Sequence, residues 1–479
     1  AELPSEEEQF NAYRKVASAL KGAPVIIRTL DVGGDKEIPY LHMVKEENPF
    51  MGFRAVRYCL ANPDQYKVQL RALLRASAFG DVKIMIPLVT CVEEVVAVKE
   101  LVEQCKAELT EEGRKFNENI EVGIMVETPA ASLLADRLAE VAHEDYHQYS
   151  ITWGAQNFRE ALARKQSKLM GRTIDPNGEI VVTCGSTEAM MAAMMTVADP
   201  GDKVIIFSPF YENYGADTIL SGAQPIYVPL YPPEFHFNPE ELEAAFQQNP
   251  KALILCNPSN PCGKVFTCEE LELIADLAQK YDTYVITDEV YEHIVYEPNK
   301  HIYFASLPGM WERTISCSSL SKTYSITGWR LGYIIAPPHI IDVAKKVHDF
   351  LTVGAAAPLQ EAAVTGLQFP DSYYQELQQK YTAKRDLFLK GLNDIGIAHT
   401  VPQGAYYILL DISEFGYESD QVFCEDLARL VGVGAVPGSS FFREPVNHLI
   451  RLHFAKKDET LYEALNRLAD IRKKMPYQK

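Results

Sequence analysis

The chain has 479 residues, with 46 lysines and arginines against 65 aspartates and glutamates and a formal net charge of −19. That acidic balance argues against nucleic-acid and anionic-membrane partners, and no run of basic residues overrides it. No apolar stretch approaches the ~20 residues of a membrane-spanning helix, and no secretory hydrophobic region stands at the start. In chain order, the first third predicts helices near 5–20, 63–78, 91–112 and 130–141 and strands near 24–30, 83–88 and 121–127, about three βα units. Strands near 179–184, 203–207, 225–229, 252–256, 283–287, 313–318 and 331–335 then alternate with helices. This predicts a doubly wound, mostly parallel seven-stranded α/β sheet. The remainder, with strands around 404–410 and Arg451, predicts a small α+β domain. The expected domains are 1–141, 142–345 and 346–479. Nine scattered cysteines form no Cys-x-x-Cys pair and read as free thiols of a reducing, cytoplasmic compartment. Cys256, Cys262 and Cys268 are evenly spaced but have no histidine nearby, so no metal site is expected there.

The N-terminal third carries long motifs. Val25-Ile26-Ile27-Arg28-Thr29-Leu30-Asp31-Val32-Gly33-Gly34-Asp35-Lys36 is followed by Glu46-Glu47-Asn48-Pro49-Phe50-Met51-Gly52-Phe53-Arg54-Ala55-Val56-Arg57. Ile84-Met85-Ile86-Pro87 and Val122-Gly123-Ile124-Met125-Val126-Glu127-Thr128-Pro129 come later. Together they resemble the phosphoenolpyruvate-binding barrel of enzyme I of the sugar phosphotransferase system, a PEP-utilising enzyme. The resemblance implies that Arg28 and Arg54 hold the phosphate and carboxylate of phosphoenolpyruvate and that Glu127 is a magnesium ligand. Two guanidiniums suit a trianion, and a hard oxygen suits a hard cation. The family's Gly-Thr-Asn-Asp segment with the second metal carboxylate, its further phosphate-binding arginine and its Cys-Gly segment with the catalytic acid do not follow. Magnesium is therefore not expected, and the three residues read as a vestigial site. About three of eight βα units make a partial (β/α) barrel fragment whose sheet edges need cover.

Lys322 lies in Ser319-Leu320-Ser321-Lys322-Thr323-Tyr324, and Arg330 follows in Gly328-Trp329-Arg330-Leu331-Gly332-Tyr333. A lysine amine can form a Schiff base with the aldehyde of pyridoxal phosphate, while Ser319 and Arg330 neutralise its phosphate. Thr283-Tyr284-Val285-Ile286-Thr287 ends in Asp288, placed to keep a pyridine nitrogen protonated, with Tyr291 three residues on to bond the phenolic oxygen. The strand Glu179-Ile180-Val181-Val182-Thr183 runs into Gly185-Ser186-Thr187-Glu188. There Ser186 and Thr187 open a helix whose N–H groups and dipole suit a phosphate. Taken singly, each residue has a plainer reading: a surface lysine, a helix cap, turn chemistry at Asn260, a core tyrosine or a surface arginine pair. Five such signals in one order, mostly at strand ends, exceed chance.

The region from about 143 to 479 resembles a class I/II, fold-type-I aminotransferase. The resemblance implies that Asn260, in Asn257-Pro258-Ser259-Asn260-Pro261-Cys262-Gly263, also contacts the phenolic oxygen. It implies that Tyr211, in Ser208-Pro209-Phe210-Tyr211, stacks on the cofactor and that Arg451, in Ile450-Arg451-Leu452-His453-Phe454, forks onto the substrate carboxylate. Tyr149 would reach the cofactor phosphate of the other subunit of a homodimer. The family's N-terminal arm and Gly-rich loop are replaced by the barrel-like segment, joined within 133–143 by one continuous helix period. A join without a polar linker reads as a recombined or engineered chimera. The expected activity is transamination between an amino acid and a 2-oxo acid, impaired by the replaced segment. The alternatives are a chimera without efficient catalysis and residual phosphoenolpyruvate or phosphate binding at Arg28 and Arg54.

Overall fold

The computed structural model describes residues 4–20, 22–32, 54–125 and 150–475. The chain divides into two compact units, Ala1–Gln148 and Tyr149–Lys479. Glu127, Tyr149, the predicted helix at 130–141 and the join within 133–143 lie outside the described residues.

The first unit contains α1 (Glu6–Ala19), β1 (Val25–Arg28), α2 (Ala55–Ala61), α3 (Pro63–Ser77), β2 (Val82–Ile86), α4 (Val92–Glu111) and β3 (Val122–Ile124). A capping box starts α1: the Ser5 hydroxyl accepts from the Glu8 N–H, and the Glu8 carboxylate accepts from the Ser5 N–H at 2.9 Å. The strands are parallel in the order β1-β2-β3, with Ile27 opposite Ile84 and Ile84 opposite Val122. Leu70, Leu73 and Leu74 of α3 pack with Ile84, Ile86, Val98 and Cys105 into one core. The apolar periodicity of α3 and α4 therefore has a sheet to cover.

The second unit runs α5 (Gln156–Met170), β4 (Ile180–Thr183), α6 (Ser186–Val197), β5 (Lys203–Ser208), α7 (Asn213–Leu220), β6 (Gln224–Tyr231), β7 (His236–Phe237), α8 (Pro239–Phe246), β8 (Ala252–Cys256), α9 (Cys268–Lys280), β9 (Tyr284–Asp288), β10 (Thr314–Ser319) and β11 (Gly332–Ile335). There follow α10 (Pro338–Thr352), α11 (Ala357–Leu367), α12 (Asp371–Ile395), β12 (Tyr407–Asp411), α13 (Asp420–Asp426), β13 (Val436–Pro437), β14 (Leu449–His453) and α14 (Asp458–Ala469). The main sheet has the order β4-β11-β10-β9-β8-β5-β6-β7. Strands β10, β9, β8, β5 and β6 are parallel, while β11 runs against both its neighbours. The seven predicted strands are present. The eighth, β7, has two residues paired antiparallel to β6, too few to leave an alternation in the sequence.

Adjacent strand residues serve opposite faces. Ile205, Leu253 and Val285 join Leu242, Phe246, Leu271 and Ile274 of α8 and α9 in one core. Ile206, Ile254 and Ile286 join Met190, Met194, Ile340 and Ile341 of α6 and α10 in the other. A sheet buried on both faces needs these continuous apolar runs. The small domain has its own antiparallel sheet, β12-β14-β13, with Arg451 opposite Leu409. Its core is built on Phe388, Leu392, Ile408, Ile450, Leu461 and Leu465.

Candidate active site

Strands β4, β5, β8, β9 and β10 of the main sheet run in one direction, and most of the candidate side chains stand at or just beyond their C-terminal ends. β10 is buried throughout and delivers Ser319, after which a short turn presents Lys322. Among the described residues nothing forms a hydrogen bond or ion pair with the Lys322 amine. Burial lowers that amine's proton affinity below the ordinary lysine value; Asp288 pulls the other way, and Arg330 adds to the lowering. Asp288 closes β9 in a buried position. Its Oδ2 accepts from the Tyr214 hydroxyl at 2.7 Å and its Oδ1 from the Val290 N–H at 3.3 Å. Burial raises the Asp288 carboxyl, and the Tyr214 hydrogen bond acts against that rise. Behind it, Asp217 sits one helical turn beyond Tyr214 on α7. Burial and the Asp288 charge push Asp217 up to about 7.

A second group lines the side facing the small domain. Arg451 Nη1 donates to Asn260 Oδ1 at 2.7 Å. Its guanidinium lies 4.4 Å from the Tyr407 ring centre and 4.3 Å from that of Phe441. The Tyr291 hydroxyl is 2.9 Å from that of Tyr407, and the Tyr291 ring meets Tyr406 edge-on at 5.2 Å. Tyr211 follows β5 and packs edge-on against Tyr214 at 5.8 Å. Burial raises its hydroxyl, with the charges of Glu212 and Asp288 adding to the rise.

The third group is the start of α6. Gly185 is the N-cap with φ +87°. A Cβ there would stand 2.3 Å from Arg330 Nη2, so the guanidinium crosses the helix start where a side chain would be. A Cβ on Gly332 would stand 2.3 Å from the Gly185 carbonyl carbon, and Gly332 pairs with Ser319 across β10 and β11. Ser186 and Thr187 are the first two helical residues. Helix N–H groups, two hydroxyls, Ser319 and one guanidinium thus converge.

The structure brings Lys322, Asp288, Tyr291, Asn260, Arg451, Tyr211, Ser319, Ser186, Thr187 and Arg330 to one end of the sheet and its neighbouring domain. Tyr214, Tyr407 and Phe441 were not read from the sequence. Tyr214 left a signal, an aromatic residue one helical turn after Tyr211, while Tyr407 and Phe441 depend on how the small domain folds.

The C-terminal side of the chain, residues 126–468, matches the family model "Aminotransferase class I and II". The chain belongs to the class I and II aminotransferases. Its relatives include kynurenine–oxoglutarate transaminase 3 of Rattus norvegicus, 37% identical over 361 residues, covering 69% of this chain and 80% of that protein. Methionine aminotransferase of Escherichia coli (strain K12) is 36% identical over 71% of this chain and 88% of that protein. The solved N-succinyldiaminopimelate aminotransferase from Mycobacterium tuberculosis superposes with a TM-score of 0.67 at 35% identity, covering 71% of this chain and 88% of that one. Residues 1–146 match "PEP-utilising enzyme, PEP-binding domain", so the two matches overlap at 126–146.

Class I and II aminotransferases use pyridoxal phosphate, and this donor set fits it. An unengaged amine, a buried carboxylate, an aromatic platform and a glycine cradle under a guanidinium match its aldehyde, ring nitrogen, ring face and phosphate. In the first unit, Arg54 donates from Nε and Nη2 to Asp31 Oδ1 at 3.2 and 2.9 Å. Arg28 Nη1 lies 3.2 Å from Asp31 Oδ2. The two guanidiniums meet on one carboxylate. Among the described residues no group of three or more metal-ligating side chains is close enough to hold an ion, and no helix is long and apolar enough to cross a membrane.

Proposed function

We propose that this aminotransferase exchanges the amino group of an α-amino acid with a 2-oxo acid, with pyridoxal phosphate held on Lys322. The observation that carries the assignment is the Lys322 amine, unengaged among the described residues and with a proton affinity lowered by burial and Arg330. A lowered proton affinity makes the free amine, the nucleophile and proton carrier the reaction needs, easier to reach. When bound, the cofactor supplies an electron sink for the pair left by the substrate's α-hydrogen. Lys322 Nζ takes and returns that proton. Asp288 holds a proton on the ring nitrogen, a role supported by its place at the end of β9 and by the Tyr214 hydrogen bond, which favours the carboxylate against the rise that burial causes.

Asn260 spends its carbonyl on Arg451, leaving its amide N–H groups for the phenolic oxygen beside Tyr291. Arg451, fixed by Asn260 and two aromatic rings, keeps further N–H groups for a substrate carboxylate. Ser186, Thr187, Ser319 and Arg330 take the phosphate, and Tyr211 covers the ring face. A homodimer completed by Tyr149 is supported by exposed apolar residues at the end of α10: Phe350 is 91% exposed, Leu351 40% and Val353 46%. A cytoplasmic location is supported by nine cysteines that are all free thiols.

Borohydride reduction of the loaded protein followed by peptide mapping tests the assignment. Label on the peptide containing Lys322 is expected, and label elsewhere overturns it. A second reading, weak phosphoenolpyruvate or phosphate binding at Arg28, Arg54 and Glu127, is favoured by the two guanidiniums converging on Asp31. That carboxylate is also a built-in competitor. Calorimetry with phosphoenolpyruvate and magnesium decides it, and absence of heat at millimolar ligand excludes useful affinity.

A further inference from the structure

A phosphate at the start of α6 leaves one neighbour unaccounted for. Glu188, on the first turn two residues beyond Ser186, carries a charge of the same sign as the phosphate. It is 8% exposed and fully engaged. Glu188 Oε2 accepts from the Cys184 N–H at 2.5 Å, and Oε1 accepts from the Thr352 hydroxyl at 2.8 Å. The same Oε1 lies 2.6 Å from His348 Nδ1. His348 is fully buried on α10, and its Nε2 lies 2.8 Å from the Thr152 carbonyl oxygen. The nearest partner of each ring nitrogen is an acceptor, the Glu188 carboxylate at Nδ1 and the Thr152 carbonyl at Nε2. The Thr352 hydroxyl is farther from Nδ1, at 3.4 Å, and already donates to Glu188, so the site suits a ring with two N–H groups and a positive charge.

We propose that His348 is a positioning residue of the cofactor site. As an imidazolium it cancels the Glu188 charge and ties the first turn of α6 to α10 and to the backbone at residue 152, and losing its proton weakens anion binding at α6. The proposal rests on the reading of α6 as the phosphate site. Burial opposes the His348 charge and is outweighed by the Glu188 hydrogen bond and charge, the Thr152 carbonyl and Asp349. Among the described residues, Cys184 and Arg330 also lie within electrostatic reach of this corner. A histidine raised in the fold contributes fully below its unfolded value of about 6.5. That contribution is lost as pH rises through the folded value, so the alkaline side is where binding weakens.

The test is the affinity of the apoprotein for 4′-deoxypyridoxine phosphate, which has the ring and phosphate but no aldehyde, followed from mildly acid to alkaline pH. H348Q keeps amide donors without the charge. It is expected to bind about tenfold more weakly at neutral pH and to lose the wild type's alkaline decline relative to its own neutral value. The E188Q/H348Q double variant removes the stranded carboxylate and is expected to regain most of the affinity, with a flat difference profile. H348Q binding like wild type at every pH would overturn the proposal. So would a double variant as weak as H348Q, which would make the effect one of packing. No binding by the wild type would instead remove the phosphate-site reading beneath it.

Discussion

Lys322 and Asp288 owe their chemistry to where the strands stop. Each follows a fully buried strand end, and burial shifts both toward the neutral form. Lys322→Ala removes the proton carrier, and turnover is expected to fall roughly 10²–10⁴-fold while the fold is retained; normal turnover would end the assignment. Tyr214→Phe removes the 2.7 Å donor to Asp288. Because that bond favours the carboxylate, its loss raises Asp288 further. The acid limb of cofactor binding is expected to move to higher pH by about one unit, read by fluorescence titration. An unmoved limb would mean that Tyr214 does not act through Asp288. At this scale the sequence was informative wherever a residue's chemistry is rare in its setting, such as a lysine among small hydroxyls or an acid closing an apolar strand. Tyr407 and Phe441 were not legible, because an aromatic residue in a core pattern looks the same whether it packs or clamps an arginine.

The proposed phosphate cradle is a junction of elements. β4 ends at Thr183, Gly185 turns with φ +87° and α6 begins at once. Gly185→Ala pays the left-handed backbone cost of about 1–3 kcal/mol and also displaces Arg330. Gly171, also at positive φ (+68°) but with nothing within 4 Å of its would-be Cβ, serves as a positive-φ control with no neighbour to displace. Both alanine variants are expected to lose some thermal stability, and only Gly185→Ala to lose cofactor affinity, by about tenfold or more. Equal losses of affinity would contradict the cradle. The strands around this cradle were read from the sequence within a residue or two, because a sheet covered on both faces demands unbroken Val and Ile runs. β7 escaped, since a two-residue strand has no period. Register and the cross-sheet approach of Gly332 to Gly185 also escaped, since they are set by pairing between strands distant in sequence.

At the scale of the whole molecule, the chain carries a segment that matches the PEP-binding domain of PEP-utilising enzymes ahead of a class I and II aminotransferase region, and each of the two compact units has its own core. Leu73→Ala, at a fully buried position of the first unit, is expected to cost about 2–5 kcal/mol there while leaving cofactor binding in place, measured by thermal unfolding beside the cofactor's absorbance. If the homodimer forms, light scattering gives twice 53.8 kDa, and Phe350→Glu is expected to shift it toward the monomer. The order of the two segments was plain from their motifs. That the replaced segment impairs turnover is an expectation from the resemblance alone, because no local period encodes how two joined segments act on catalysis. The decisive measurement is the visible spectrum of the purified protein with added pyridoxal phosphate, before and after a panel of amino acids. A bound-cofactor band that one or more amino acids bleach and a 2-oxo acid restores is expected. A band that no amino acid alters, or no band at all, would contradict transamination by this chain.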